Sequence, residues 1–151
     1  MKKIFVGLGN PILSDDAVGI LVLDALKEKA GNTEGLVFSE ANSGGLALLD
    51  LINGFDEVVL IDSIITNQVE PGTLMILTPE DFSETRHISN LHDINFATAL
   101  KVGSHMGYVL PSKFSIYAIE VKEVLEFGHK LTPEIEKRLP DIIEEIAKRE
   151  L

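Results

Sequence analysis

Asp16, Asp62 and His92 are the residues whose types and positions can do chemistry. Asp16 closes a polar segment, Gly7-Leu8-Gly9-Asn10-Pro11-Ile12-Leu13-Ser14-Asp15-Asp16, that follows a short apolar run. Asp62 follows the β-branched run 58–61, and His92 opens an apolar helical segment. Two carboxylates and an imidazole form a hard-to-borderline donor set for a divalent first-row metal, with positions left open for water or substrate. Singly, each has a simpler role. Asp16 can stabilise a helix N-terminus, Asp62 can accept backbone N–H bonds in a loop, and His92 can sit on a helix surface. His87, His105 and His129 have weaker claims.

The same segment admits a second reading. Gly7-x-Gly9 after a strand and before a helix begins the dinucleotide fingerprint G-x-G-x-x-G, and Glu40 could stand for its ribose-binding acid. The third glycine is missing, because position 12 is Ile12, and Asp15 and Asp16 would repel a pyrophosphate at the helix end.

These residues need a scaffold that brings strand ends together. Residues 3–6 and 36–41 read as short strands, and 58–61 as a central strand buried on both faces. Residues 73–77 follow by a short connection and suit an antiparallel edge; 114–121 suit a fifth strand. Helical spacing joins Val18, Leu21, Val22, Ala25 and Leu26, and predicts a short helix over 46–52 and another from His92 to about Leu100. Thr132-Pro133-Glu134 opens a last helix with proline at its first position. Ile135, Leu139, Ile142 and Ile146 form its stripe, and Pro140 should kink or split it. Segment 79–90 reads as polar and irregular. Alternation of this kind predicts a three-layer α/β sandwich: a mostly parallel, twisted sheet of about five strands with helices on both faces. The 151 residues fit a single domain, 1–151. In such sheets ligands bind beyond the carboxyl ends of the strands, where Asp16 and Asp62 fall.

Composition narrows the function classes. There is no cysteine, which excludes disulfides, thiol nucleophiles and thiolate metal sites. The formal net charge is −11, unsuited to a nucleic-acid backbone. The start, with two lysines and then apolar residues, lacks a cleavage pattern, and the run 58–65 carries Asp62 and is too short to span a bilayer. The expectation is therefore a cytoplasmic protein without membrane insertion.

The string from Gly7 through Ala17-Val18-Gly19 fills every place of G-x-G-N-x-[IL]-x-x-D-[DE]-x-[IVA]-G. It resembles the N-terminal signature of the hydrogenase maturation endopeptidases, which trim the large subunit of [NiFe] hydrogenases. Asn42-Ser43-Gly44-Gly45-Leu46, Val59-Leu60-Ile61-Asp62-Ser63, Pro71-Gly72-Thr73, Ser89-Asn90-Leu91-His92-Asp93 and Leu131-Thr132-Pro133-Glu134-Ile135 resemble later segments of that family.

The resemblance implies a nickel-dependent endopeptidase that removes the C-terminal extension of a large-subunit precursor after nickel insertion. It makes Asp16, Asp62 and His92 both the metal ligands and the catalytic residues. Asp16 stands where some members have Glu, and the shorter arm brings a metal closer to the backbone. His87, five residues earlier, competes with His92, and the spacing to the following apolar helix favours His92. Gly9 and Asn10 are expected to shape the loop presenting Asp16, and Gly44 and Gly45 to line the substrate groove. The nickel would come with the precursor, so the isolated protein would be metal-free or hold a surrogate divalent cation weakly. A monomer is expected. The alternatives are a non-catalytic nickel-sensing or metallochaperone module and the Rossmann-type nucleotide-binding protein. Ser14 and Ser63 read as cap and loop residues.

Overall fold

The structure is a computed structural model that describes residues 1–10, 14–42, 46–84, 96–122 and 130–151. Its centre is a five-stranded sheet in the order β2-β1-β3-β5-β4. The strands are β1 Lys3–Leu8, β2 Leu36–Ala41, β3 Glu57–Ile64, β4 Leu74–Leu77 and β5 Lys113–Glu120. Pairings β1–β2, β1–β3 and β3–β5 are parallel, and β4 runs antiparallel to β5 at the edge, as its short connection predicts. A 3₁₀ turn, Ser14–Ala17, leads into α1 Val18–Ala30. The other helices are α2 Leu46–Ile52, α3 Pro79–Glu84, α4 Phe96–His105 and α5 Pro133–Glu150.

Strand side chains alternate between faces, and this alternation sorts the core into two layers. Phe5, Val59, Ile61, Tyr117 and Ile119 pack under α1 and α5 through Val22, Leu26, Ile135, Ile142 and Ile146. Ile4, Val6, Leu8, Leu60 and Ile116 pack on the opposite side under Leu48 and Ile52 of α2, Phe82 of α3 and Phe96 of α4. The three-layer sandwich expected from the alternation of elements is the observed fold.

Three details differ from the expectations set by the sequence. Segment 79–84 is a helix. Thr78 and Asp81 form a reciprocal cap: the Asp81 N–H donates to Thr78 Oγ1 at 3.1 Å, and the Thr78 N–H donates to Asp81 Oδ2 at 3.4 Å. Buried Phe82 anchors that helix. α5 is not split at Pro140, which lies on its exposed side with Glu136, so the Glu136 carbonyl left without a proline N–H can bond to water. In α1, Leu21 faces solvent, while Val18, Ile20, Val22, Leu23 and Leu26 are buried.

At the amino end of the sheet, Lys3 Nζ donates to Glu150 Oε2 at 2.6 Å and to the Glu150 carbonyl at 3.0 Å. Tyr117 Oη donates to Glu150 Oε1 at 2.6 Å. Burial pushes the Glu150 carboxyl up, but these hydrogen bonds and the Lys3 charge outweigh it and hold the group below the usual carboxylate range. Burial and then the bond to Glu150 push the Tyr117 phenol well up. A depressed carboxylate adds stability that is complete above its ordinary value, 4.5, and is lost as pH falls through the depressed one. Glu150→Gln should therefore lower Tm at pH 7, with the gap to wild type closing below about pH 4.5 in thermal melts. A gap that stays constant into strong acid would contradict this linkage.

Candidate active site

Among the described residues, the buried charged and polar side chains are Asp15, Asp16, Asp62, Ser63 and Glu120. All lie toward the carboxyl end of the sheet, after or within β1, β3 and β5. Buried carboxylates cost free energy unless they are hydrogen-bonded, so their concentration at one end makes that end the candidate site. It is also where the topology reverses. From β1 the chain crosses to β2 on one side, then passes back to β3 on the other. The crevice between β1 and β3 is the switch point at which open α/β sheets bind ligands.

Asp62 is not in a loop after its strand, as the sequence suggests, but within β3. β1 leaves β3 at Gly7↔Ile61, whereas β5 stays paired with it through Ile64↔Glu120. The strand continues because β5 supports it, and Asp62 lies just past the last β1–β3 pair.

Asp16 reaches the same place from the other side. Gly9, with φ +148°, turns the chain after β1, and a Cβ there would collide with the Asp16 carbonyl oxygen. The Asn10 N–H donates to Asp16 Oδ2 at 3.0 Å. Gly7 and Gly19 let the start of α1 press on the sheet: a Cβ on Gly19 would stand 2.5 Å from the Leu8 carbonyl oxygen and 2.6 Å from that of Ile61. Close packing of helix on strand, which the third glycine allows in a dinucleotide fingerprint, falls here to Gly19.

One residue joins the two acids. Ser63 Oγ donates to Asp16 Oδ1 at 2.9 Å, and the Ser63 N–H donates to Asp62 Oδ1 at 2.8 Å. Asp16 and Asp62 thus converge on Ser63, which by sequence alone reads as an ordinary loop residue. The adjacent Asp15 has a different role. It accepts from the Thr132 N–H at 2.6 Å and from Thr132 Oγ1 at 2.8 Å, tying the start of α5 to the 3₁₀ turn. Glu120 takes the backbone N–H and hydroxyl of Thr66, fixing the loop after β3.

A cavity of about 340 Å³ opens beside this cluster, lined by Gly9, Ile20, Glu40, Ala41 and Asn42. Glu40 is exposed at the end of β2. Against the nucleotide reading, the Asn10 N–H is bound to the chain's own Asp16. His92, its rival His87, and Gly44 and Gly45 lie outside the described residues. Among the described residues no group of three or more His, Cys, Asp or Glu side chains is arranged to hold a metal ion, so the described part of the proposed site is the acid pair.

The model of the family described as hydrogenase maturation protease matches residues 20–149. The chain belongs to the hydrogenase maturation protease family. That match begins just after the Gly7–Gly19 string, so the remainder of the chain carries the assignment independently. Membership makes the protein a protease, a hydrolase of peptide bonds.

Among relatives, the hydrogenase 2 maturation protease of Escherichia coli K12 is 27% identical over 148 residues, covering 97% of this chain and 88% of the relative. The hydrogenase maturating endopeptidase HybD of E. coli superposes with a TM-score of 0.78 at 26% identity, over 97% of this chain and 90% of that one. The [NiFe] hydrogenase maturation protease HybD of Thermococcus kodakarensis shares the fold, with a TM-score of 0.70 at 21% identity over 99% of both chains. No helix among the described residues of this family member is long and apolar enough to cross a membrane.

Proposed function

We propose that this hydrogenase maturation protease removes a short C-terminal extension from the large-subunit precursor of a [NiFe] hydrogenase once nickel has been inserted. Asp16, Asp62 and His92 are the groups that meet the nickel, which arrives held by the precursor. The observation that carries the reading is the buried pair Asp16 and Asp62, joined through Ser63 at the β1–β3 switch point. Two carboxylates and an imidazole suit a borderline divalent cation. The lack of cysteine in the sequence fits this function, because a protease without soft thiolates does not strip the metal from its substrate. Nickel held by the precursor and contacted by Asp16, Asp62 and His92 would polarise the scissile carbonyl, activate a water or only position the bond. In this reading the protein works in the cytoplasm as a monomer, and Gly9, Asn10, Gly44 and Gly45 border the groove that receives the extended precursor segment.

The test is to mix the purified protein with nickel-loaded and nickel-free precursor and follow size on a gel. Only the nickel-loaded precursor is expected to shorten. Complex formation without a size shift would favour a nickel-sensing module instead. His92→Ala should abolish the shift and His87→Ala should leave it; the opposite pattern would move the histidine role to His87.

A further inference from the structure

From the two bonds that Ser63 makes, we infer that it is a positioning residue that sets the acid pair as one unit; this rests on the reading of Asp16 and Asp62 as groups that meet a metal. Ser63 is 1% exposed and hydrogen-bonds to both acids. Its hydroxyl proton is directed to Asp16 Oδ1 at 2.9 Å and its backbone proton to Asp62 Oδ1 at 2.8 Å. Asp16 Oδ2 is held by the Asn10 N–H at 3.0 Å. The Asn10 bond ties the carboxylate to its own loop. The Ser63 bond references it to the strand that carries Asp62.

The role explains why a small hydroxyl residue follows Asp62 in a strand whose other buried residues are Val58, Val59, Leu60, Ile61 and Ile64. Groups that orient metal-binding carboxylates commonly contribute about 10–100-fold to affinity. Ser63 is enclosed, so its hydroxyl is not presented to a peptide substrate.

The experiment measures binding of Ni²⁺ alone by titration calorimetry to the full chain and to Ser63→Ala, Ser63→Thr and Asp16→Asn, with circular dichroism to check the fold. Ser63→Ala should weaken binding about tenfold or more. Ser63→Thr, which keeps the hydroxyl and suits a strand, should stay within about twofold of wild type. Processing of nickel-loaded precursor should follow the same order. Equal affinity in Ser63→Ala and wild type, with loss in Asp16→Asn, would overturn the Ser63 role and leave the acid pair standing. Unchanged binding in Asp16→Asn would overturn the acid-pair reading and this inference with it. If Ser63→Ala does not fold, Ser63→Val and Ser63→Thr differ only by a methyl for a hydroxyl, and equal affinities in that pair would overturn the role.

Discussion

Asp16→Asn and Asp62→Asn should each reduce processing of the nickel-loaded precursor by about a hundredfold or more while the protein remains folded. The fold should tolerate both changes because an amide can replace the hydrogen bonds that the structure shows. In Asp16→Asn the amide oxygen can still accept from the Asn10 N–H, and the amide N–H can donate to Ser63 Oγ, which accepts as well as donates. In Asp62→Asn the amide oxygen can still accept from the Ser63 N–H. The lost property is the negative charge offered to a cation. Circular dichroism melts beside a gel assay separate the two effects. A large fall in Tm with a proportional fall in activity would make the acids structural, and near-normal cleavage in either variant would remove that acid from the site.

Gly19→Ala should destabilise the fold. Elsewhere in a helix this change stabilises by up to about 1 kcal/mol through propensity. Here the new Cβ would stand 2.5 Å from the Leu8 carbonyl oxygen and 2.6 Å from that of Ile61. Both are backbone atoms of the central strands, which cannot rotate away as a side chain could. The helix must lift, and overpacking of this kind costs about 1–3 kcal/mol. For a chain of this size the expected fall in Tm is roughly 2–12 °C. Processing should fall as well, since Asp16 sits in the 3₁₀ turn that leads into the displaced helix and Asp62 on the strand it leaves. A Tm at or above wild type would show that the approach of α1 to β1 and β3 is looser than the structure has it.

The parts of this fold that are legible in the sequence are those governed by local pattern. Residues 36–41 and 46–52 form the strand and helix that their spacing predicts, and the short connection before β4 announces an antiparallel edge. Strand-end reasoning selects Asp16 and Asp62, because ligands of open α/β sheets bind beyond the carboxyl ends of the strands. α3 is also readable. Thr78-x-x-Asp81 is a capping signature, obscured by the polar composition of 79–90. The continuity of α5 through Pro140 depends on which side of the helix meets water, which spacing alone does not give.

Tertiary pairings are less accessible. Asp15 and Asp16 are neighbours with similar chemistry, yet one holds Thr132, 117 residues away, and the other Ser63, 47 residues away. Nothing local separates those roles. Ser63 reads as a loop residue because the apolar run stops at Ile61, and only pairing with β5 carries the strand past it.

The most direct test of the proposed processing is the intact mass of nickel-loaded large-subunit precursor before and after incubation with the purified protein. The expected result is release of one C-terminal peptide by the wild-type protein and an unchanged mass with Asp62→Asn or with nickel-free precursor. An unchanged mass with the wild-type protein, in a mixture where the two proteins form a complex, would contradict it.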